Sequence, residues 1–178
     1  MNFRIIAILL CALLLPGCLV VSKISYHISV SNDHSGSAVV TFHDIRSDAV
    51  GNKEFEEDRK NLYEYILKSD EFVNSLQLEG KFIKSRDLKI IDGKLTGIAG
   101  YDFNDVEKIE GIRHQDGLYY LTLQGDDKVL STNGEIVTTG DYKRIIWRDS
   151  VTDLLFEIES GQVQQKTRDL SPYLNKAK

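Results

Sequence analysis

Apolar and polar side chains alternate with a period of two along residues 23–30, which is the pattern of a strand with one buried face. The apolar positions are Ile24, Tyr26, Ile28 and Val30. Residues 31–37 are polar and rich in turn formers. Beyond this loop, Ala38, Val40 and Phe42 continue the apolar side. The two segments therefore predict an antiparallel hairpin.

The period changes to that of a helix after residue 51. Asn52 is placed to cap a helix, and the acidic residues that follow it suit the positive end of the helix dipole. Apolar side chains then recur at helical spacing and form one stripe, made of Phe55, Leu62, Ile66, Val73 and Leu76. Ser69-Asp70 is the expected position of a break that would divide this helix into two pieces.

Three dipeptides in the second half of the chain are typical of type I′ hairpin turns: Asp92-Gly93, Asp116-Gly117 and Asn133-Gly134. They predict cross-strand pairs of Ile90 with Leu95, Phe82 with Phe103, Ile112 with Leu121, and Leu130 with Val137. Residues 142–148 and 152–158 are predicted as two further strands around Asp149-Ser150.

These elements indicate an α+β fold: a mostly antiparallel β-sheet built from hairpins, of about nine strands, with one amphipathic helix packed on a face. We expect a signal peptide at residues 1–17 and a single domain at 18–160. Residues 161–178 are expected to form a polar, loosely held C-terminal tail.

The N-terminal residues have the features of an export signal. One positive charge, at Arg4, precedes the 11 residues Ile5–Leu15, which are apolar apart from Cys11. At about 1.5 Å per residue, this segment is too short to cross a hydrocarbon core of about 30 Å as a helix. It leads into Leu15-Pro16-Gly17-Cys18, which resembles the lipobox of bacterial lipoproteins, although Pro16 departs from the commonest pattern.

The lipobox resemblance implies that Cys18 receives diacylglycerol on its sulfur and becomes the first residue of the mature protein. Two or three acyl chains on one residue would hold the protein stably at a membrane of the cell envelope. Leu19, in place of Asp, favours the outer membrane if the source is Gram-negative. Two alternatives are an uncleaved anchor from Ile5 to Val21 and a plain secretory signal that leaves the Cys18 thiol free.

Composition narrows the class of protein. The chain has two cysteines, Cys11 and Cys18, so the mature domain has no disulfide and no free cysteine nucleophile. The formal net charge is −5, and loss of Arg4 with the signal makes it −6. An acidic chain argues against a nucleic-acid partner, because phosphate binding needs a basic face.

The four histidines are the first candidates for chemistry. His27 and His43 fall on the same outward face of the predicted hairpin, where diagonal neighbours lie about 7–8 Å apart. No carboxylate lies beside them in that register, whereas a zinc site needs three or four ligands. We therefore interpret them as solvated surface histidines and predict no metal site. His34 belongs to the polar turn, and His114 is expected beside Tyr119 on the Ile112 face.

Basic and aromatic residues each allow two interpretations. The basic residues could meet an anionic leaflet or protect sheet edges against pairing; they are Lys81, Lys84, Arg86, Lys89, Lys143, Arg144 and Arg148. The aromatic residues of the late strands could line an apolar cavity or fill the sheet core; they are Tyr119, Tyr120, Tyr142 and Trp147. Edge protection and core packing are the favoured interpretations.

The lipobox cysteine that runs into an alternating strand, a polar turn and the strand Ser37–Phe42 resembles the LppM-like domain of bacterial envelope lipoproteins. Residues 129–137, followed by the strand with Trp147, add to this resemblance. It implies an α+β envelope domain without established catalysis. We therefore expect a non-enzymatic lipoprotein without cofactor, with an interaction or structural role towards an envelope protein. The alternative is a binding module for a lipid or other apolar ligand between helix and sheet.

Overall fold

The computed structural model describes residues 19–160 and 166–176, which form mostly antiparallel β-structure in three sheets. The strands are β1 (Leu19–Val20), β2 (Lys23–Val30), β3 (Gly36–His43), β4 (Arg46–Ser47), β5 (Lys81–Ile91), β6 (Lys94–Phe103), β7 (Ile112–Gln115), β8 (Leu118–Gln124), β9 (Val129–Thr132), β10 (Glu135–Thr138), β11 (Tyr142–Arg148), β12 (Asp153–Glu159) and β13 (Arg168–Asp169). The helices are α1 (Asn52–Lys60), which continues as a π-helical segment (Asn61–Ile66), and α2 (Asp70–Leu78), with short 3₁₀ turns at Val106–Lys108 and Ser171–Lys176.

The largest sheet has six strands in the order β5-β6-β3-β2-β12-β9, and its apolar face is covered by two different layers. The four-stranded sheet β10-β11-β8-β7 packs over the half that carries Ile28, Ala38 and Tyr101. Helix α1, its π-helical continuation and the small sheet β1-β4-β13 pack over the other half, around Leu95. The opposite face of the six-stranded sheet carries most of its polar side chains.

Most of the predicted strands are confirmed. β2 spans residues 23–30 and β11 spans 142–148, as predicted. Asp92-Gly93 and Asp116-Gly117 both have positive φ at their two residues, as a type I′ turn requires. The predicted pairs of Ile90 with Leu95 and of Ile112 with Leu121 are also confirmed.

The pairing of Phe82 with Phe103 is wrong. A β-bulge between Ile83 and Ser85 adds one residue to β5, so Phe82 lies opposite Asp102, and Lys81 lies opposite Phe103. A shift of one residue moves every side chain beyond it to the other face. The bulge therefore turns the Lys81 side chain into the interior, where only 5% of it is exposed.

The hairpin predicted at Asn133-Gly134 is also wrong, because β9 and β10 belong to different sheets. The Asn133 amide explains the crossover. Its oxygen accepts hydrogen bonds from the Trp147 indole N–H (2.8 Å) and the Leu155 backbone N–H (2.9 Å), and its nitrogen donates to the Asp153 carbonyl (2.7 Å). Trp147 and Leu155 belong to different sheets, so Asn133 joins the two layers at this corner.

The helical region follows the predicted stripe, since Phe55, Leu62 and Leu76 are buried. The helix begins one position earlier than a cap at Asn52 would require: Gly51 is the N-cap residue and no side chain caps it. The break is confirmed at Ser69, whose hydroxyl accepts from the backbone N–H groups of Glu71 and Phe72 and so caps α2.

The C-terminal segment is packed, so the prediction of a loosely held tail is wrong for its described part. β13 pairs with β4, and Leu170 is fully buried. The Tyr63 hydroxyl, whose pKa burial raises to about 12, donates a hydrogen bond to the Leu170 carbonyl (2.8 Å). The Arg168 guanidinium lies 3.7 Å from the centre of the Phe55 ring.

Ser47 and Asp58 connect β4 to α1 through a buried hydrogen bond of 2.5 Å. Burial raises the pKa of Asp58 above its ordinary value, although the Ser47 hydrogen bond opposes this. The ionised carboxylate therefore reduces the free energy of unfolding at pH values above its pKa in the folded protein, and this cost disappears as the pH falls below it.

We expect Asp58→Asn to raise the thermal midpoint at pH 7, because the amide oxygen still accepts from Ser47 and no buried charge remains. The gain should vanish near about pH 3, below the ordinary Asp pKa of about 3.9, where Asp58 is protonated in both states. Thermal unfolding of the parent protein and of the Asp58→Asn variant, measured at each of these two pH values, checks this. An equal difference at both pH values would contradict it.

Gly134→Ala should reduce the free energy of unfolding by about 1–3 kcal/mol, the usual cost of overpacking. A Cβ at residue 134 would lie 2.7 Å from the Trp147 indole nitrogen and 2.8 Å from the Ile145 side chain. Denaturant unfolding followed through Trp147, the protein's single tryptophan, measures this.

Gly140→Ala is the matched control, because a Cβ there meets no atom within 4 Å. We expect it to change the free energy of unfolding by less than about 0.5 kcal/mol. Equal effects of the two substitutions would refute the close packing of Gly134 on Trp147.

Candidate functional site

The polar face of the six-stranded sheet places Ser25, His43 and Glu157 in contact. β12 pairs with β2 so that Glu157 lies directly opposite Ser25. The Ser25 hydroxyl oxygen is 2.6 Å from Glu157 Oε2 and 2.8 Å from His43 Nε2. Lys23 completes the group with an ion pair to Glu157 at 3.0 Å. A serine beside a histidine and a carboxylate is the composition of a hydrolytic triad, in which the histidine accepts the serine proton.

Proton positions in this group oppose activation of the serine. The Ser25 hydrogen bond first, and Lys23 next, hold the pKa of Glu157 below its ordinary value, so it accepts the single hydroxyl proton and is a weak base. His43 must then donate from Nε2 to Ser25 rather than accept from it. Burial, with a smaller effect of Lys23, lowers the pKa of His43. A nucleophile needs the reverse arrangement, with the imidazole as acceptor.

His27 lies in a second polar group on the same face. Its Nε2 is 2.8 Å from Asp153 Oδ1, which also accepts a hydrogen bond from the Ser29 hydroxyl at 2.7 Å. These hydrogen bonds hold the pKa of Asp153 below its ordinary value. The expectation that no carboxylate lies beside His27 and His43 is therefore wrong: β12 places Asp153 in direct contact with His27, and Glu157 beside His43 with the Ser25 hydroxyl between them.

One metal ion cannot bridge His27 and His43. His27 pairs with Val39, and His43 pairs with Lys23, so the two histidines lie four residues apart along the sheet, or about 13 Å. Within residues 19–160 and 166–176, no three histidine, cysteine or acidic side chains are grouped as metal ligands. Each histidine is instead part of its own cross-strand hydrogen-bonded group.

His34, His114 and Tyr119 form a third cluster, between the β2–β3 turn and the β7–β8 hairpin. His114 pairs with Tyr119 as predicted, and the rings of His34 and His114 lie 4.5 Å apart. His34 Nδ1 is 3.0 Å from the Tyr119 hydroxyl. The His114 Nε2 atom is buried without a hydrogen-bond partner. The cluster packs the β2–β3 turn against the β7–β8 hairpin. The His114 ring contacts the rings of His34 and Tyr119, and its Nε2 atom is buried.

Lys81 and Glu110 form an ion pair that is almost fully buried. Their side chains are 5% and 9% exposed, and Lys81 Nζ lies 3.0 Å from Glu110 Oε1. The Tyr101 hydroxyl donates to the same oxygen at 2.7 Å. Burial first, and Glu110 next, raise the pKa values of Tyr101 and Tyr26. Glu110 has a positive φ of 51°, a conformation that residues other than glycine adopt infrequently.

The basic residues do not form one surface. Arg86 donates to the backbone carbonyls of Ile66 and Ser69 and so stabilises the end of a helix, and Lys84 pairs with Asp102 at 2.7 Å. In the four-stranded sheet, Lys143 donates to the Asp127 carbonyl. Together with the buried Lys81, these contacts show that the basic residues serve separate parts of the fold.

The aromatic residues of the late strands divide between core and surface. Tyr119 and Trp147 are buried in the core, at 3% and 2% exposure, as the favoured interpretation expected. Tyr120 and Tyr142 instead flank the Arg144 guanidinium, whose carbon lies 4.7 Å and 5.1 Å from their ring centres.

A half-open cleft of about 320 Å³ lies where α2 ends and β5 begins. Leu78 and Phe82 are its apolar lining residues, whereas its polar ones are Gln77, Glu79, Asn104, Asp105 and Lys108. Ligand sites for lipids are concave and mostly apolar. The mixed lining of this cleft gives little support to a lipid pocket between helix and sheet.

The first described residues enter the fold at once. Leu19, Val20 and Val21 are 8%, 4% and 4% exposed, and Leu19 pairs with Ser47. Cys18, the predicted lipidation site, lies outside the described residues. Leu19 follows it directly, so the chain has no spacer between Cys18 and β1.

Comparison of the chain with protein-family models, curated proteins and solved structures finds no match. The resemblance to the LppM-like domain therefore stays a hypothesis that depends on the residues given above. Among residues 19–160 and 166–176, no helix is long and apolar enough to cross a membrane.

Glu110→Gln should reduce the free energy of unfolding by about 3–5 kcal/mol, because it leaves Lys81 buried without a counter-charge. Asp102→Asn is the matched control: it breaks the exposed pair with Lys84 and should cost less than about 1 kcal/mol. Denaturant unfolding of both variants provides the test. A small effect of Glu110→Gln would mean that the Lys81 charge is solvated, contrary to the structure.

Proposed function

We propose that the protein is a lipid-anchored lipoprotein of the bacterial cell envelope, held at the membrane through Cys18, with an interaction or structural role and no catalysis. The observation that carries this proposal is the lipobox Leu15-Pro16-Gly17-Cys18 directly before a strand that is part of the fold. If the source is Gram-negative, Leu19 favours the outer membrane. We also retain the α+β description, with the helical layer of residues 52–78 on one face of the sheet.

The polar clusters support a role without catalysis. Ser25 donates its proton to a weak base, and His27 is hydrogen-bonded to a carboxylate across the sheet. In both groups the side chains hydrogen-bond across neighbouring strands. Neither group contains a nucleophile with a base ready to accept its proton.

Exposed apolar side chains on two edge strands support an interaction role. Leu130 on β9 and Ile136 on β10 are 48% and 44% exposed, and Val137 is 38% exposed. β9 and β10 each form one edge of their sheets, and uncovered edges are common places for another chain to pair. An envelope protein is the partner that this surface favours.

The alternative function is binding of a lipid or other apolar ligand, for which the cleft beside α2 is the candidate place. Native mass spectrometry of the membrane-extracted protein separates the two functions. A retained protein partner favours the first, and a retained lipid beyond the covalent anchor favours the second.

Cys18→Ala should abolish the lipidated mature protein, because it removes the thiol that accepts diacylglycerol. The intact mass of the membrane-extracted parent should correspond to a chain that begins at residue 18 and carries acyl chains. Cys11→Ala is the matched control and should leave this mass unchanged, since residue 11 is removed with the signal. An unmodified mass, or an N-terminus anywhere but residue 18, would overturn the lipoprotein assignment.

A further inference from the structure

We infer that one end of the six-stranded sheet docks on the phospholipid leaflet that holds the anchor, and that Val50 and the tip of the β5–β6 hairpin contact the lipid. This inference rests on the proposed lipidation of Cys18. It goes further in assigning which surface of the domain faces the membrane, and the residues that make the contact.

The attachment point restricts how the domain can sit. Cys18 directly precedes Leu19 in the sequence, and Leu19 is buried and paired with β4. A flexible linker would let a domain move away from its anchor by a distance that grows with linker length. Here no linker residues are present, and the part of the fold around β1 is therefore held at the lipid headgroups.

The end of the sheet next to β1 can be identified from the strand register. β2 begins at Lys23, four residues after Leu19, and Lys23 pairs with His43 at the end of β3. The β5–β6 hairpin turns at this same end, where Ile91 pairs with Lys94. The pairing of β3 with β6 stops at Gly97, so the last three residue pairs of the hairpin lie beyond the part of β6 that pairs with β3.

This end carries apolar side chains that the fold leaves uncovered. Val50, in the loop between β4 and α1, is 95% exposed and lies three residues after the partner of Leu19. Ile90 and Ile91, beside the hairpin turn, are 46% and 43% exposed. Contact with the boundary between headgroups and acyl chains would remove this apolar surface from water. We call Val50, Ile90 and Ile91 the membrane-facing group.

Two lysines near the membrane-facing group are paired with acids, and the hairpin turn itself carries the exposed, acidic Asp92. Lys94 pairs with Asp44 at 3.2 Å, and Lys89 lies 3.9 Å from Asp87. Docking therefore depends on the anchor and on apolar contact rather than on attraction to anionic lipids. It should consequently be insensitive to salt, since salt screens exposed charges but not apolar contact.

The opposite end of the sheet provides an internal reference. Leu78, at the end of α2, is 90% exposed and precedes β5, whose first residue, Lys81, is level with Phe103 and Gly36. The eight residues of β2 separate the two ends by about 26 Å. Leu78 and Val50 are therefore similar in exposure and chemistry but lie at opposite ends of the domain.

The test uses the lipidated full-length protein in phosphatidylcholine–phosphatidylglycerol vesicles that contain headgroup-level nitroxide lipids. In the lipidated protein the Cys18 sulfur is blocked, so Val50→Cys, Ile91→Cys and Leu78→Cys each supply one free thiol for a fluorescent label. Intact mass first confirms the anchor, and unchanged Trp147 emission confirms the fold. We expect the labels at 50 and 91 to lose most of their emission, at low and high salt, and the label at 78 to be unaffected.

The outcomes separate the two proposals. Lipidated protein with unquenched labels at 50 and 91, or with equal quenching at 78, would overturn the docking surface while the anchor stands. A mass without acyl chains would overturn the anchor and, with it, the docking surface. Quenching at 50 and 91 that high salt abolishes would overturn apolar docking.

Discussion

The apolar face of the six-stranded sheet is the constraint on which the rest of the fold depends. Its strands run from Ile24 and Phe42 at one end to Val30 and Phe103 at the other, and buried apolar surface must be covered along this whole length. A second sheet covers one half, and the helices with the small sheet cover the other. Ile24 and Phe42 pack against both core clusters, so the two layers meet on a shared surface.

Polar groups occur inside the protein where these layers join, and those of Asn133 and Glu110 are hydrogen-bonded to specific partners. Asn133 carries the chain from one sheet to the other and binds groups of both. Glu110, which has a positive φ, contacts Lys81 and Tyr101. An unpaired buried polar group is costly, so these contacts specify one arrangement of the layers. Asn133 and Glu110 therefore serve to fix the fold.

The same architecture separates the proposed anchor from the proposed partner surface. The core half that contains Leu19 lies at the end of the sheet where the β5–β6 hairpin extends, and the exposed edges of β9 and β10 belong to the other side of the sheet order. A protein anchored at Cys18 and resting on Val50 and Ile91 would keep those edges accessible to a partner. Anchor, lipid contact and partner surface would thus occupy different parts of one domain.

The sequence by itself determined the local elements: the strand at 23–30 and the turns at Asp92-Gly93 and Asp116-Gly117. The lipobox prediction at Cys18 depends on a local signal of the same kind. Each depends on neighbours in the chain, whose alternation or turn chemistry is local. Only the tertiary structure decided that Asn133-Gly134 is a crossover, that a bulge buries Lys81, and that β12 brings carboxylates to His27 and His43. These features depend on which distant strands pair, and a short polar segment has the same composition whether it closes a hairpin or joins two sheets.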